Sequence, residues 1–158
     1  MRILAILTTA ASLTSPAHAE DAVTRGAYLA RIMDCGGCHT PGALTGQPNA
    51  FMALAGADVG FAVPGLGVFY PPNLTPDSET GLGKWSEADI VAAVRTGMRP
   101  DGRELVVMPW RSYAALSDED AGALAAYLKS MAPVTNHVPP PTGADAKAPG
   151  PYLTVMMP

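Results

Sequence analysis

The segment at positions 35–39, Cys-Gly-Gly-Cys-His, constrains the fold of this chain more than any other part of its sequence. Two thiols three residues apart can bond to the two vinyl groups along one side of a porphyrin, and the pattern C-x-x-C-H is the signature of c-type haem attachment. The adjacent imidazole then lies beneath the ring, where it can bind the iron. We therefore predict that Cys35 and Cys38 hold one haem c covalently and that His39 is an axial iron ligand.

The first nineteen residues have the three-part layout of a secretory signal peptide. Met1 and Arg2 give a positive start, positions 3–13 are apolar apart from Thr and Ser, and positions 15–19 supply a helix breaker and a small-x-small ending. We predict cleavage after Ala19 and a periplasmic mature protein that is either soluble or held at a membrane only through a partner. Neither this run nor any later segment reaches the roughly 20 apolar residues of a membrane span.

Two other chemistries use the same side chains. A C-x-x-C pair can be a thiol–disulfide redox couple, which makes a periplasmic thiol–disulfide oxidoreductase using Cys35 and Cys38 the alternative function. That function is typical of a βαβ context, which the sequence does not show. A zinc site needs a fourth ligand and normally a second Cys/His pair. The sequence has no other cysteine, and once His18 leaves with the signal peptide, His137 in the Pro-rich tail is the one other histidine. The sequence therefore favours haem over both.

Composition agrees with a small domain built around a cofactor. Apolar residues make up 48% of the 158 residues, and 16 glycines and 16 prolines predict short elements joined by many turns. The formal net charge of −4 argues against nucleic acid as a partner, because phosphate binding needs a basic surface.

Three helices are predicted from periodicity and capping residues. Apolar residues at helical spacing over positions 22–34 predict a helix that runs directly into Cys35. Ser86 followed by Asp89 predicts a second helix, which stops at Gly97. A third helix starts at Ser117 with the same spacing to Asp120, and Pro133 halts it.

The remaining segments predict how the domain is organised. Positions 40–84 are rich in Gly and Pro and show no β-alternation, which predicts a long ordered loop that wraps around something. We therefore expect an all-α domain at 20–132, with three or more short helices and long loops around one haem. Positions 133–158 are Pro-rich and predict an extended tail.

A low-spin haem also needs a second axial ligand. Met108 precedes a proline on a loop between two predicted helices, where the backbone can bring a thioether across the ring. Met33 is too near the attachment segment to reach the opposite face, and Met131 lies on the apolar stripe of the last helix. We predict Met108 as this ligand, with Met98 and His137 as alternatives.

Several short segments of the chain match a known family, at positions 25–29, 35–40, 73–77, 80–86, 108–110, 116–120 and 126–128. Through them, residues 25–131 resemble a class I cytochrome c domain, most of all the cytochrome c subunits that accept electrons from bacterial dehydrogenases of alcohols, aldehydes and N-heterocycles. The resemblance implies a cytochrome c fold in which the first and last helices cross beside the haem, near Gly26–Tyr28 and Leu124–Tyr127. It also implies attachment through Cys35 and Cys38 with His39 and Met108 as axial ligands.

The resemblance further implies an electron-transfer protein rather than an enzyme. Its partners would be an electron-donating dehydrogenase and an acceptor on the way to the respiratory chain, with this chain either a free carrier or a subunit of the complex. Many relatives carry three such domains in tandem, whereas this sequence has one C-x-x-C-H motif. We therefore expect one haem on this chain.

Several residues have two open interpretations. Asn73, Trp85 and Arg103 lie in the wrapping loops and either contact the haem or belong to a solvated loop surface. The tail at 139–158 is pre-extended and apolar, which lowers the entropy cost of lying on another subunit. It either docks on the partner dehydrogenase or folds back over its own domain.

Overall fold

The computed structural model of the chain describes residues 21–156 and builds that range from five helices and three short strands. The predicted signal peptide at 1–19 lies outside the described residues. Among the helices that are described, none is both long enough and apolar enough to cross a membrane. The elements are α1 (Ala22–Ile32), α2 (Cys35–His39), β1 (Gly60–Val63), β2 (Gly67–Phe69), α3 (Glu87–Thr96), α4 (Trp110–Tyr113), α5 (Asp118–Ser130) and β3 (Tyr152–Leu153), with 3-10 turns at Ala43–Thr45 and Ala50–Met52.

The first helix ends earlier than its sequence pattern predicts. Asp21 caps its start, because one carboxylate oxygen accepts a hydrogen bond from the backbone N–H of Thr24 at 2.9 Å. Its last residue is Ile32, and Asp34 adopts a left-handed conformation with φ of +54° before α2 begins at Cys35. The prediction of one helix running into Cys35 is wrong here, because a left-handed residue interrupts the helical hydrogen bonds.

The other two predicted helices start at their predicted capping residues. At α3, the Ser86 hydroxyl accepts from Asp89 N and the Asp89 carboxylate accepts from Ser86 N, which is the complete capping box. Gly97 closes this helix with φ of +72°. At α5, the Ser117 hydroxyl accepts from Asp120 N at 3.0 Å.

Helices α1 and α5 cross at a point that only a glycine allows. A Cβ atom added to Gly26 would lie 2.0 Å from the carbonyl oxygen of Ala123 and 2.6 Å from Cβ of Tyr127. Beside this contact, Nε of Arg25 donates to a carboxylate oxygen of Asp120 at 2.8 Å. The crossing of the first and last helices that the resemblance implied is therefore present in the structure.

The apolar core lies where α1, α3 and α5 meet. Ala30 of α1, Ile90 and Val94 of α3, and Leu124 and Leu128 of α5 form one buried cluster. The loops between the helices add buried leucines to it, at positions 54 and 82. The cytochrome c fold predicted from the sequence agrees with this mostly helical arrangement.

A small sheet lies within the segment that was predicted as loop. Strands β1 and β2 form an antiparallel hairpin in which Phe61 lies opposite Phe69. Pro64 and Gly65 make the turn, where Leu66 N donates to Val63 O at 3.0 Å and Gly65 has φ of +76°. The expectation of no β-structure is wrong at this point, and the Pro-Gly pair is the sequence signal that marks the turn.

The tail lies back on its own domain. Strand β3 pairs in parallel with β1, placing Tyr152 beside Gly60, and Gly60 N donates to Pro151 O at 2.9 Å. Nearer the start of the tail, Thr142 N donates to Val68 O at 3.0 Å and its hydroxyl accepts from Val68 N at 3.1 Å. The second interpretation of the tail describes this arrangement, and docking of 139–158 on a partner stays a prediction.

Candidate haem site

His39 presents one ring nitrogen to the protein and keeps the other available. Its ring is buried, and Nδ1 lies 2.8 Å from the carbonyl oxygen of Pro72. Because a carbonyl only accepts, Nδ1 carries the proton, and the lone pair is on Nε2. Burial lowers the pKa of His39, against the opposing effect of the hydrogen bond to Pro72. The result is a neutral, oriented imidazole, which is the form that binds iron.

The two cysteines on the same short helix are half-buried free thiols. Burial raises the pKa of Cys35 to about 11, and the nearby Asp34 carboxylate adds to the effect. Burial also raises the pKa of Cys38. A thiol–disulfide couple depends on a lowered cysteine pKa, so the environment of these thiols does not favour the alternative function.

The side chains around the motif fit a haem. Cys35 and Met108 pack against the same buried apolar cluster, and both remain partly exposed. The half-buried Leu74, Trp85 and Tyr113 lie against that cluster as well. Two thiols, a neutral imidazole with a free nitrogen and a thioether beside an apolar surface together make the donor set of a c-type haem.

The three candidates for the second axial ligand have different surroundings. Met108 is the one of them that packs against the cluster bearing Cys35. Met98 is 46% exposed and forms an isolated β-bridge with Glu104. His137 is exposed and lines a cleft with Asp58 on its wall. These surroundings favour Met108.

Asn73 is 1% exposed and is fully engaged within the protein. Its Nδ2 donates to the hydroxyl of Thr80 at 2.9 Å and to the carbonyl of Val134 at 2.7 Å. Its Oδ1 accepts from the backbone N–H and the hydroxyl of Thr75 at 2.9 and 2.8 Å. Every hydrogen-bonding position of the amide is thereby used within the protein, and the haem contact of Asn73 stays a prediction.

Trp85 and Arg103, the other two predicted contacts, differ in position. The Trp85 ring is half-buried against the core, with the guanidinium of Arg99 5.3 Å from the ring centroid, and Nζ of Lys129 donates to its carbonyl at 2.9 Å. Arg103 is exposed and pairs with Asp101 at 2.7 Å, an interaction that holds the pKa of that carboxyl well below its usual range. The exposed ion pair agrees with the second interpretation of Arg103, as part of a solvated loop surface. Trp85 lies against the apolar cluster beside the site.

Two residues near the site were missed by sequence reasoning. The carbonyl of Pro72 orients His39, and the hydroxyl of Tyr113 donates to the carbonyl of Met33 at 3.0 Å, just before α2. Burial raises the pKa of Tyr113, and Cys35 adds to the effect. No sequence pattern marks a backbone acceptor, whereas a tyrosine following the Met-Pro-Trp segment was a signal that could have been used.

A helical domain that carries two cysteines and a neutral, oriented histidine on one short helix has the features of a c-type haem protein. The chain belongs to the cytochrome c family, whose model matches residues 23–132. Cytochromes c carry covalently bound haem and transfer electrons without catalysing a reaction of their own. The resemblance predicted from the sequence is thus confirmed.

Three of the similar proteins are named as dehydrogenase subunits. The chain is 40% identical over 116 residues to the cytochrome c subunit of a quinone-dependent alcohol dehydrogenase of Gluconobacter oxydans, a match that covers 70% of this chain and 22% of that protein. It is 44% identical over 120 residues to the gluconate 2-dehydrogenase cytochrome c subunit of Pantoea cypripedii, covering 74% and 25%. It is 39% identical over 116 residues to one of the nicotinate dehydrogenase subunits of Pseudomonas putida, covering 73% and 9%. The matched region is thus a quarter or less of each relative.

Proposed function

We propose that this chain binds one haem c through Cys35 and Cys38, takes His39 and Met108 as its axial ligands, and transfers single electrons. The observation that carries this proposal is the geometry of His39, whose Nδ1 is hydrogen-bonded to the carbonyl of Pro72, so that the lone pair is left on Nε2, on a residue of the same short helix as the two cysteines. A haem held by these residues would supply an iron that can pass between Fe(III) and Fe(II). His39 and Met108 would fill the two ligand positions that the protein provides, so that none would be left for a substrate, and the thioether of Met108 would favour Fe(II).

We further propose that the electron donor is a dehydrogenase. The support is the function of the relatives, which are cytochrome subunits of alcohol and gluconate dehydrogenases and a subunit of nicotinate dehydrogenase. This chain would pass the electron to an acceptor that leads to the respiratory chain, either as a subunit of the complex or as a carrier. Its place would be the periplasm, after cleavage of residues 1–19.

Covalent attachment is tested by expressing the chain in a host that matures c-type cytochromes. Wild type should keep its haem through acid–acetone extraction and show sharp bands on reduction, whereas the double variant Cys35→Ser/Cys38→Ser should release all haem. Two separate control variants, Met98→Ala and Met131→Ala, alter no residue of the proposed site. Both should keep their haem through extraction as the wild type does. A colourless wild-type protein would contradict the proposal and would require an assay of the two cysteines as a thiol couple.

Location and partner are tested separately. We expect the purified mature protein to begin at Glu20 and to leave the cell with the periplasmic fraction. Reduction of the protein on mixing with a dehydrogenase catalytic subunit and its substrate should be fast and should not require a diffusible mediator. A mature protein that begins at Met1, or one that alcohol, gluconate and nicotinate dehydrogenases all fail to reduce, would contradict these parts of the proposal.

A further inference from the structure

The acceptor of the His39 hydrogen bond lies in a loop that is held from several sides. The carbonyl of Pro72 is followed directly by Asn73, whose buried amide is bound on both its donor and acceptor sides. On the other side of Pro72, Pro71 O accepts from Ala57 N at 2.9 Å. The neighbouring Gly56 N donates to the backbone carbonyl of His39 at 2.7 Å. The loop and His39 are therefore one hydrogen-bonded unit.

The C-terminal tail completes that unit. Val134 N donates to the hydroxyl of Thr75 at 3.1 Å, and Val134 O accepts from Nδ2 of Asn73 at 2.7 Å. Asn136 N donates to the hydroxyl of Thr80 at 3.1 Å, and its side-chain amide donates to Ala55 O at 2.8 Å.

The next part of the tail packs directly on the loop. A Cβ atom added to Gly56 would lie 2.3 Å from Cγ2 of Val138 and 3.0 Å from Asn73 N. Val138 is therefore seated where the two loop segments meet. The tail segment 134–138 closes over the loop that carries the Pro72 carbonyl, although it lies some sixty residues further along the chain.

We propose that tail residues 134–138, acting through Asn73 and Thr75, hold the Pro72 carbonyl on Nδ1 of His39 and thereby help to set the reduction potential of the haem. This inference rests on the proposed function, because it requires His39 to bind the iron. The tail residues are positioning residues, because the hydrogen bonds of Val134 and Asn136 go to Asn73, Thr75, Thr80 and Ala55 and act on His39 only through the loop. They act by restricting where the carbonyl can lie.

The physical link is the basicity of the imidazole. A hydrogen bond from the second ring nitrogen of a ligating histidine orients the ring and makes it a stronger electron donor. A stronger donor stabilises Fe(III) more than Fe(II), so this hydrogen bond lowers the potential. A looser tail lets the carbonyl move away, and the potential then rises.

The test compares one substitution at two tail contacts. Thr75→Val removes the hydroxyl that accepts from Val134 N and donates to Asn73, whereas Thr142→Val removes a hydroxyl that also joins tail and domain but lies against strand β2. We expect Thr75→Val to raise the midpoint potential and to speed exchange of the His39 Nδ1–H roughly fivefold, the factor that corresponds to the net free energy of one hydrogen bond. Thr142→Val should leave both unchanged, and Thr75→Ser, which keeps the hydroxyl, should restore both.

A second variant covers the case in which Thr75→Val does not fold. Asn136→Ala removes only the hydrogen bond to Ala55 and should shift the potential and the exchange rate in the same direction by a smaller amount. Unchanged potential and exchange in a folded, haem-loaded Thr75→Val or Asn136→Ala protein would overturn the inference and leave the proposed function intact. A wild-type protein without haem would overturn the proposed function instead. The exchange rate of the Nδ1 proton would in that case report only on the hydrogen bond to the carbonyl of Pro72.

Discussion

At the scale of single residues, substitution of two methionines on one loop should affect the midpoint potential differently. We expect Met108→Ala to lower the midpoint potential strongly, because loss of a thioether ligand removes a group that favours Fe(II). Met98→Ala is the matched control, since Met98 is 46% exposed and is not packed against the core cluster. Redox titration of both variants decides the matter. A low potential in Met98→Ala with a normal one in Met108→Ala would reverse the proposed ligand assignment.

Asp77 gives a prediction for acid stability. Hydrogen bonds from the backbone and hydroxyl of Thr80, and then from the hydroxyl of Thr135, lower the pKa of Asp77 from its ordinary value of 3.8 to about 2. Because the folded pKa is the lower one, this carboxylate stabilises the fold fully above pH 3.8 and loses its effect as the pH falls towards 2. Asp77→Asn should therefore be less stable than wild type at pH 6, with the difference shrinking between pH 4 and 2.

Thermal melting of the two proteins across this pH range is the measurement. Asp145→Asn, at an exposed position in the tail, is the control and should melt with wild type at every pH. A constant difference between Asp77→Asn and wild type from pH 6 to 2 would contradict the assigned role of this carboxylate.

The sequence predicts local chemistry at this scale and misses long-range contacts. Cys35, Cys38 and His39 are adjacent in the chain, so their spacing alone indicates their chemistry. Asn73 was interpreted as either a haem contact or part of a solvated loop surface. Its amide binds Val134 across sixty-one positions, and no pattern in one sequence reveals a partner so far away. The same is true of Pro72, which acts through a backbone atom that every residue possesses.

At the scale of elements, two glycine-to-alanine substitutions test the contact between α1 and α5. Gly26→Ala places a Cβ atom 2.0 Å from the backbone carbonyl of Ala123, and we expect it to destabilise the fold by about 3 kcal/mol through overpacking. Gly122→Ala lies in α5 with nothing within 4 Å of the added atom. It should stabilise the protein by about 1 kcal/mol through helix propensity.

Chemical denaturation measures both changes. If Gly26→Ala were as stable as wild type, the close crossing of α1 and α5 would be disproved. Gly122→Ala shows in the same experiment that an alanine within these helices is not harmful in itself.

Capping residues made the helices predictable, whereas the sheet was not. Ser86 and Ser117 mark helix starts by hydrogen bonds to residues three positions away, a distance that a sequence shows directly. Strand β2 has three residues and β3 has two, too few for an alternating pattern to be recognised. The parallel pairing of β3 with β1 also joins segments with no local relationship, so the sequence left open whether the tail docks on a partner or folds back over its own domain.

At the scale of the whole molecule, the tail has two parts with separable effects. Removal of residues 139–158 deletes β3 and the contacts of Thr142 but keeps segment 134–138 in place. We expect the free energy of unfolding to fall by about 2 kcal/mol, from the loss of several hydrogen bonds, and the midpoint potential to stay at the wild-type value. Thermal melting and redox titration of the truncated protein measure the two effects. A shifted potential would mean that the sheet, rather than segment 134–138 alone, also positions the loop behind His39.

The pairing of Tyr152 with Gly60 also sets the order in which contacts can form while the chain is being synthesised. Helix α1 and the two cysteines emerge early during synthesis, but Val134 cannot reach Thr75, and β3 cannot pair with β1, until positions 134–153 have been made. Contacts between distant segments also form slowly, because the intervening chain must first be brought to order. The two thiols are therefore made well before segment 134–138 can close over the loop behind the histidine.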